Sequence, residues 1–178
     1  MPYSVRENDE FVLNLFYEDS SIQRVLDVGV GSGTYGRLLK EAGAIERENL
    51  HGVEVWEPYE GLFGLHQFYG RMIYENILTL TPDDLDRYDL IIFGDVLEHI
   101  DSKDLPPVWR LAEAVADRVL LSLPKSHWPQ AGGEHGNPYE AHVEGHVTGE
   151  TLVSVLPDLS RAERIDFEDT TTFFMRFR

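Results

Sequence analysis

The stretch Val25-Leu-Asp-Val-Gly-Val-Gly-Ser-Gly33 decides the fold of this 178-residue chain. Arg24–Val28 predicts a buried strand, because a short apolar run bounded by turn residues is typical of strands inside a parallel sheet. Three glycines then follow at every second position. Glycine tolerates the backbone angles of a tight turn and lets the backbone pass close to a bound molecule. The stretch therefore predicts a strand followed by a turn that binds a ligand.

Strands and helices alternate along the rest of the chain. Six more segments have the composition of strands: Leu50–Trp56, Arg71–Tyr74, Tyr88–Phe93, Arg118–Leu123, Arg161–Phe167 and Thr171–Phe177. Helices are predicted over 4–19, Tyr35–Ala42, 59–69, Pro106–Ala116 and Thr148–Leu156, the last with Thr148 as its N-cap. This order, ending in a hairpin, predicts an α/β fold: a three-layer αβα sandwich around a mostly parallel sheet. We expect one domain over 1–178, with an N-terminal helix within 1–22 and a loop over 124–147.

Charge is the unusual feature of the composition. Thirty-two acidic residues stand against fifteen basic ones, which gives a net charge of −17. The electrostatic field of such a negatively charged protein repels polyanions, so we expect no nucleic-acid partner. Lysine occurs only at positions 40, 103 and 125. An acid-rich, lysine-poor surface suits a protein adapted to high salt, which screens the repulsion between like charges. An ordinary acidic protein is the alternative interpretation.

The chain has no cysteine, which excludes disulfides, thiolate metal sites and cysteine nucleophiles. It contains no apolar stretch of membrane-spanning length, and its first ten residues have no apolar signal-peptide core. We therefore expect a cytoplasmic protein with no membrane partner. The oligomeric state does not follow from the sequence.

Two cofactor classes compete for the glycine turn. Gly31–Gly36 satisfies the dinucleotide pattern G-x-G-x-x-G, and an acid, Glu54, follows about twenty residues later. Asp27 favours the other class. A dinucleotide places its pyrophosphate at the start of the helix, and a carboxylate beside it would repel that charge. A cationic ligand with an ammonium group would instead be attracted.

The segment Asp27-Val-Gly-Val-Gly-Ser-Gly33 resembles the first motif of the class I S-adenosylmethionine-dependent methyltransferases, and the resemblance runs through most of the chain. It implies that Asp27, Gly29, Gly31 and Gly33 surround the methionine end of the cofactor. It also implies that Glu54 binds both ribose hydroxyls, with Glu57 as the second candidate. Trp56 falls where the family often has an apolar residue against the adenine, although core packing explains it equally well.

Two further segments match later motifs of the family. Asn76 and Ile77 occupy the adenine-binding position, where an Asp is common; the amide oxygen of Asn76 can accept the same hydrogen bond. Asp89-Leu-Ile-Ile-Phe-Gly-Asp-Val-Leu-Glu-His99 resembles the fourth-strand motif, in which Gly94 and Asp95 border the methionine pocket. For His99 we favour a structural role. The resemblance implies a seven-stranded sheet whose last strand is antiparallel and lies beside the fifth.

The loop over 124–147 is long for an ordered connection, and such loops are usually functional. It holds four of the seven histidines, and we interpret it as an acceptor-binding lid. If the acceptor requires a base, the candidates are His142 first, then His135 and His146, because histidine titrates near neutrality. We predict no metal site: His142 and His146 have helical spacing, but Gly145 between them argues against a helix.

The sequence thus predicts a methyltransferase that uses S-adenosylmethionine and moves its methyl group to oxygen or nitrogen of a small molecule, such as a metabolite or glycan. Three alternatives stay open. The acceptor could be a protein side chain, or the chain could be a non-catalytic partner subunit that binds the cofactor. The third alternative is an NAD-dependent oxidoreductase.

Overall fold

The computed structural model describes residues 6–177, without the side chain of Glu134. Seven strands form one sheet: β1 Val25–Val28, β2 Leu50–Val53, β3 Arg71–Ile73, β4 Leu90–Gly94, β5 Arg118–Pro124, β6 Glu163–Asp166 and β7 Thr170–Arg176. Their spatial order is β3-β2-β1-β4-β5-β7-β6. Strands β1 to β5 pair in parallel, β7 runs antiparallel to β5, and β6 pairs antiparallel with β7. The predicted sheet, with its antiparallel last strand beside the fifth, is confirmed.

Five helices cover the sheet: α1 Asp9–Glu18, α2 Thr34–Glu41, α3 Pro58–Phe63, α4 Leu105–Val115 and α5 Leu152–Val155. Successive strand residues point to opposite faces. Val25 packs with α1, α2 and α3, whereas Leu26 packs with α4 and α5. The same alternation separates Leu120 from Leu121 in β5. Each face of the sheet therefore carries its own apolar core, which confirms the three-layer sandwich.

The sheet order creates a crevice above β1 and β4. The chain runs outward from β1 to β2 and β3, and then returns to place β4 on the other side of β1. The connections that follow β1 and β4 leave in opposite directions, so they open a gap at the carboxyl ends of the two strands. Open α/β sheets bind their ligands at this point.

The N-terminal helix is shorter than predicted. It begins at Asp9 and ends at Glu18, and Val5, counted within the predicted helix, lies outside the described residues. The carboxylate of Asp19 accepts hydrogen bonds from the backbone N–H and hydroxyl of Ser21. Such local bonds offer the backbone an alternative to the helix, so the segment up to residue 22 turns instead.

Two other helix predictions also need correction. The helix expected over 59–69 is divided at Gly64, which has a left-handed φ of 64°. Helix α3 ends at this residue, and a short 3-10 turn over Leu65–Gln67 follows it. The last helix begins at Leu152 rather than after Thr148. The Thr148 hydroxyl accepts the N–H groups of Glu150 and Thr151, which closes a separate turn before the helix.

The start of α1 is fixed to the sheet and to α2. Asn8 is buried, and its amide group donates to the Tyr35 hydroxyl and to Oγ1 of Thr172, both at 3.1 Å. These bonds hold the helix against the face of the sheet that carries the glycine turn. In the part of the chain that the structure describes, no helix combines the length and apolar character needed to cross a membrane.

Candidate functional site

A cleft opens at the carboxyl ends of β1, β2 and β4, where the sheet order predicts a binding site. It encloses about 930 Å³, including its open mouth. The turn after β1, the ends of β2 and β4 and the segment after β3 form its walls. The loop over 124–147 contributes Asn137, Tyr139 and Glu140 on the remaining side.

The glycine turn has the geometry that only glycine adopts without strain. Gly29, Gly31 and Gly33 have φ angles of 71°, 52° and 79°, all in the left-handed region. The N–H of Gly29 donates to the carbonyl of Val53 at 2.8 Å, so the turn is tied to the end of β2. A Cβ atom on Gly29 would lie 2.5 Å from the Val96 side chain. Gly29 and Gly31 line the cleft, whereas Gly33 lies behind it as the N-cap of α2.

Asp27 lies beneath the turn and not on the wall of the cleft. Its side chain is buried, and the Tyr69 hydroxyl donates to Oδ2 at 2.5 Å while accepting the N–H of Gly36. The pKa of Asp27 is raised to about 7, mainly by burial; the Tyr69 hydrogen bond lowers it and the nearby Glu54 charge raises it, and both effects are smaller than that of burial. Asp27 thus braces α2 through Tyr69. Direct contact between Asp27 and a ligand stays a prediction, and it would require the Tyr69 hydroxyl to move away from the Asp27 carboxylate.

Glu54 faces the cleft directly after β2. Its two carboxylate oxygens accept the backbone N–H groups of Gly31 at 3.0 Å and Trp56 at 2.9 Å. Only 4% of the residue is exposed, and burial raises its pKa. Each carboxylate oxygen has a second lone pair, so Glu54 can still accept two hydrogen bonds from a vicinal diol.

Trp56 does not line the cleft and packs against the core formed with α1, α2 and α3. The structure therefore favours the packing interpretation of this tryptophan over the adenine contact.

Asn76 and Ile77 line the cleft after β3, next to Leu78. The side-chain oxygen of Asn76 accepts the N–H of Leu78 at 3.0 Å and caps a 3-10 turn over Ile77–Thr79. A ligand in this part of the cleft meets an amide group and two apolar side chains, which suits the edge and face of a heterocyclic base.

Gly94 and Asp95 form the wall at the end of β4. A Cβ atom on Gly94 would collide with the Tyr35 ring, so glycine is required there for packing. Asp95 has a φ of 52°, which is uncommon for any residue other than glycine. Strained backbone of this kind concentrates at functional sites, where the surrounding structure maintains it.

The three histidines predicted as bases do not line the cleft. His135 is exposed and stacks edge-on against Phe63 at 5.7 Å between ring centroids. His142 and His146 are also absent from the lining of the cleft, and their ring centroids lie 4.7 Å apart. The histidine that does line the cleft is His99, for which the sequence favoured a structural role.

His99 and His142 meet beside a buried carboxylate. Their ring centroids are 4.8 Å apart, and Nε2 of His142 is 3.9 Å from Oε1 of Glu98. Burial lowers the pKa of His99 to about 4 and also lowers the pKa of His142 and of His146, so these rings are neutral at pH 7. Burial raises the pKa of Glu98 well above its usual range, and the Asp95 charge adds to this.

Three cleft residues in the loop, Asn137, Tyr139 and Glu140, were not predicted as site residues, and two of them are buried. Glu140 is 5% exposed and accepts a hydrogen bond from the Tyr59 hydroxyl, and Asn137 is 3% exposed. Within residues 6–177, the second carboxylate oxygen of Glu140 has no hydrogen-bond partner although it is buried. In the sequence, these positions belong to a loop without periodicity, where burial cannot be inferred from pattern.

Comparisons with known proteins identify the fold. No family model matches the chain, and no curated protein matches its sequence. Solved structures do match. The methyltransferase domain of a bacterial Hen1 protein, CtHen1-CN, is 17% identical with a TM-score of 0.69, over 96% of this chain and 98% of that one.

Two further neighbours agree. Magnesium protoporphyrin IX methyltransferase from Synechocystis PCC 6803, solved with bound S-adenosylmethionine, is 18% identical with a TM-score of 0.63, over 95% of this chain and 77% of that one. An S-adenosylmethionine-dependent methyltransferase from Clostridium acetobutylicum ATCC 824 is 13% identical with a TM-score of 0.66, over 98% and 92% of the two chains. The chain therefore has the fold of the class I S-adenosylmethionine-dependent methyltransferases.

Proposed function

We propose that this chain is a methyltransferase that binds S-adenosylmethionine in the cleft and transfers its methyl group to oxygen or nitrogen of a small molecule. The main support for this proposal is the negative charge of the cleft. Five carboxylic acids line it: Glu54, Glu75, Asp95, Asp101 and Glu140. Among the described residues, no lysine or arginine does. A pyrophosphate would be repelled here, whereas a ligand with a sulfonium and an ammonium group would be attracted.

The cleft residues divide into three groups along the proposed cofactor. Glu54 accepts the ribose hydroxyls. Asn76 and Ile77 hold the adenine, whose amino group donates to the amide oxygen. The methionine end lies between the glycine turn and the wall formed by Gly94 and Asp95, where the acid attracts the ammonium group. Gly33, Asp27 and Trp56 support these surfaces from behind.

The chemistry needs positioning more than acid–base groups. When bound, the cofactor supplies a methyl group on a sulfonium, a leaving group that departs as a neutral thioether. The protein contributes by holding the acceptor atom in line with that bond, and such positioning alone can account for several kcal/mol of the barrier. A base is required only for a hydroxyl or a protonated amine.

The acceptor half of the proposed site lies between His99, Asp101 and the loop residues Asn137 and Glu140. Glu140 has an oxygen free to accept a hydrogen bond from an acceptor hydroxyl or amine. His99 is neutral at pH 7 and lines this half. A catalytic role for His142, His135 or His146 stays a proposal, and it would require the loop over 124–147 to rearrange.

The test is methyl transfer from cofactor labelled in the methyl group. The full chain is incubated with separate pools of small metabolites, glycans and proteins, and label in each pool is counted. The proposal expects label in a small-molecule or glycan pool. Label only in the protein pool would identify a protein side chain as the acceptor instead. Cofactor binding without transfer to any pool would favour a non-catalytic partner subunit.

Two properties of the environment belong to the same proposal. A cytoplasmic location is supported by the absence of cysteine, which suits a reducing compartment. Adaptation to high salt is supported by the net charge of −17 and by the scarcity of lysine.

A further inference from the structure

One glutamate and two histidines from separate segments converge at the border of the cleft. Glu98 and His99 lie on the turn after β4, and His142 lies on the loop over 124–147. One potential ligand atom from each of the three lies within 4.8 Å of the others. We propose that Glu98, His99 and His142 bind a divalent transition-metal ion. The inference concerns metal binding alone and does not depend on methyl transfer.

Both histidines are oriented as metal ligands are. Nδ1 of His99 lies 3.1 Å from the carbonyl oxygen of Ala141, and Nδ1 of His142 bonds the carbonyl oxygen of Trp128. A carbonyl oxygen only accepts, so in each ring Nδ1 carries the hydrogen and Nε2 carries the lone pair. Metal-binding histidines in proteins are commonly fixed by such a bond from the other ring nitrogen.

Glu98 supplies a carboxylate with an unused oxygen. The residue is 1% exposed, and its Oε2 has no hydrogen-bond partner in the described part of the chain. A buried carboxylate oxygen without a partner is costly, and protein structures usually compensate it with a donor or a metal ion. Nε2 of His142 lies 3.9 Å from the other oxygen, too far for a direct hydrogen bond. A gap of this size leaves room for an ion.

The distances fit a site that tightens around its ion. Nitrogen and oxygen ligands about 2.1 Å from a tetrahedral ion lie about 3.4 Å from one another. The ligand atoms here are up to 4.8 Å apart, so the three side chains must close by up to about 1.4 Å. We expect His142 to make this movement, because it lies on the loop over 124–147, which has two short 3-10 turns but no α-helix and, after Pro124, no strand.

The ligand set selects the class of ion. Two imidazoles with one carboxylate favour zinc and other first-row transition metals, whereas magnesium and calcium prefer sites made of oxygen alone. Three protein ligands also leave a coordination position open for water or another molecule. Since His99 lines the cleft, the ion would lie at the edge of the cleft.

The full chain is first freed of metal with a chelator and then titrated calorimetrically with Zn²⁺, with Mg²⁺ as the comparison ion. Absorption of bound Co²⁺ reports the coordination geometry. His142→Gln and Glu98→Gln remove one ligand each. His66→Gln is the matched control, because His66 is exposed and contacts Glu60 outside the cluster. Thermal melts of all variants verify folding. If Glu98→Gln fails to fold, the result for His142→Gln alone decides the test.

We expect one Zn²⁺ per chain, at least about tenfold weaker binding in the two ligand variants, and unchanged binding in the control. Mg²⁺ should bind more weakly than Zn²⁺. The proposal is overturned if the wild-type chain binds no Zn²⁺, or if folded His142→Gln binds it as tightly as the wild type does. Equal weakening by His66→Gln would likewise contradict it, by showing that the ion binds surface histidines.

Discussion

Replacing Glu54 with glutamine is the sharpest test of the proposed cofactor site, since this side chain both orders the glycine turn and faces the cleft. Its two oxygens accept the backbone N–H groups of Gly31 and Trp56. Glu54→Gln keeps the shape but turns one oxygen into an NH₂ group, which cannot accept. One backbone donor loses its partner, and a bound ribose loses one acceptor and the negative charge.

The size of the effect follows from these bonds. A hydrogen bond to a charged group contributes about 1.5–3 kcal/mol. Losing one of the two bonds to the ribose should therefore weaken binding by at least about tenfold, which equals about 1.4 kcal/mol. Glu57→Gln is the matched control: it makes the same change at an exposed glutamate three residues away that does not line the cleft.

The assay is calorimetric titration of each variant with S-adenosylhomocysteine, accompanied by a thermal melt to confirm folding. Glu54→Gln should raise the dissociation constant at least about tenfold, and Glu57→Gln should leave it unchanged. An unchanged affinity in folded Glu54→Gln would refute the ribose contact. Weakening in Glu57→Gln alone would identify Glu57 as the ribose-binding acid.

Three further outcomes are expected. Gly29→Ala should destabilise the chain by about 1–3 kcal/mol in denaturant titrations, because alanine is strained at a φ of 71° and its Cβ would meet Val96. Gly61→Ala is the control, because a Cβ at this position meets no other atom of the described residues. Equal destabilisation by the two variants would contradict this reasoning. Asp27 keeps its proton up to about pH 7 in the folded state, but only up to its ordinary pKa of 3.8 in the unfolded chain. Because the folded state binds the extra proton between these two values, the free energy of unfolding should fall from pH 4 to pH 7, by at most about 4 kcal/mol. Asp27→Asn should remove that fall and so gain stability relative to wild type from pH 4 to pH 7, and a constant difference between the two proteins over this range would contradict it. The melting temperature should rise toward molar KCl, and a flat series would remove the high-salt proposal.

The local part of the site could be predicted because its signals lie in adjacent residues. Gly29, Gly31 and Gly33 have left-handed backbone angles, which the spacing of three glycines after a strand already indicates. Glu54 and Asp95 line the cleft because each follows a parallel strand, and the carboxyl ends of such strands meet at one edge of the sheet.

The contacts that sequence reasoning missed join distant segments. Asp27 is held by Tyr69, 42 residues away, so a carboxylate expected on the cleft wall is instead buried beneath it. The sequence pairs His142 with His146, four residues away, whereas the structure also brings it to Glu98 and His99. Nothing in the local pattern gives the path of the loop over 124–147, which decides those contacts.

The central claim is that the cleft binds S-adenosylmethionine and not a dinucleotide, and one paired titration tests it directly. The purified chain is titrated in a calorimeter with S-adenosylhomocysteine and, separately, with NADH under the same conditions. The account predicts one S-adenosylhomocysteine bound per chain and no binding of NADH, because the acidic cleft repels a pyrophosphate. Binding of NADH without binding of S-adenosylhomocysteine would contradict it.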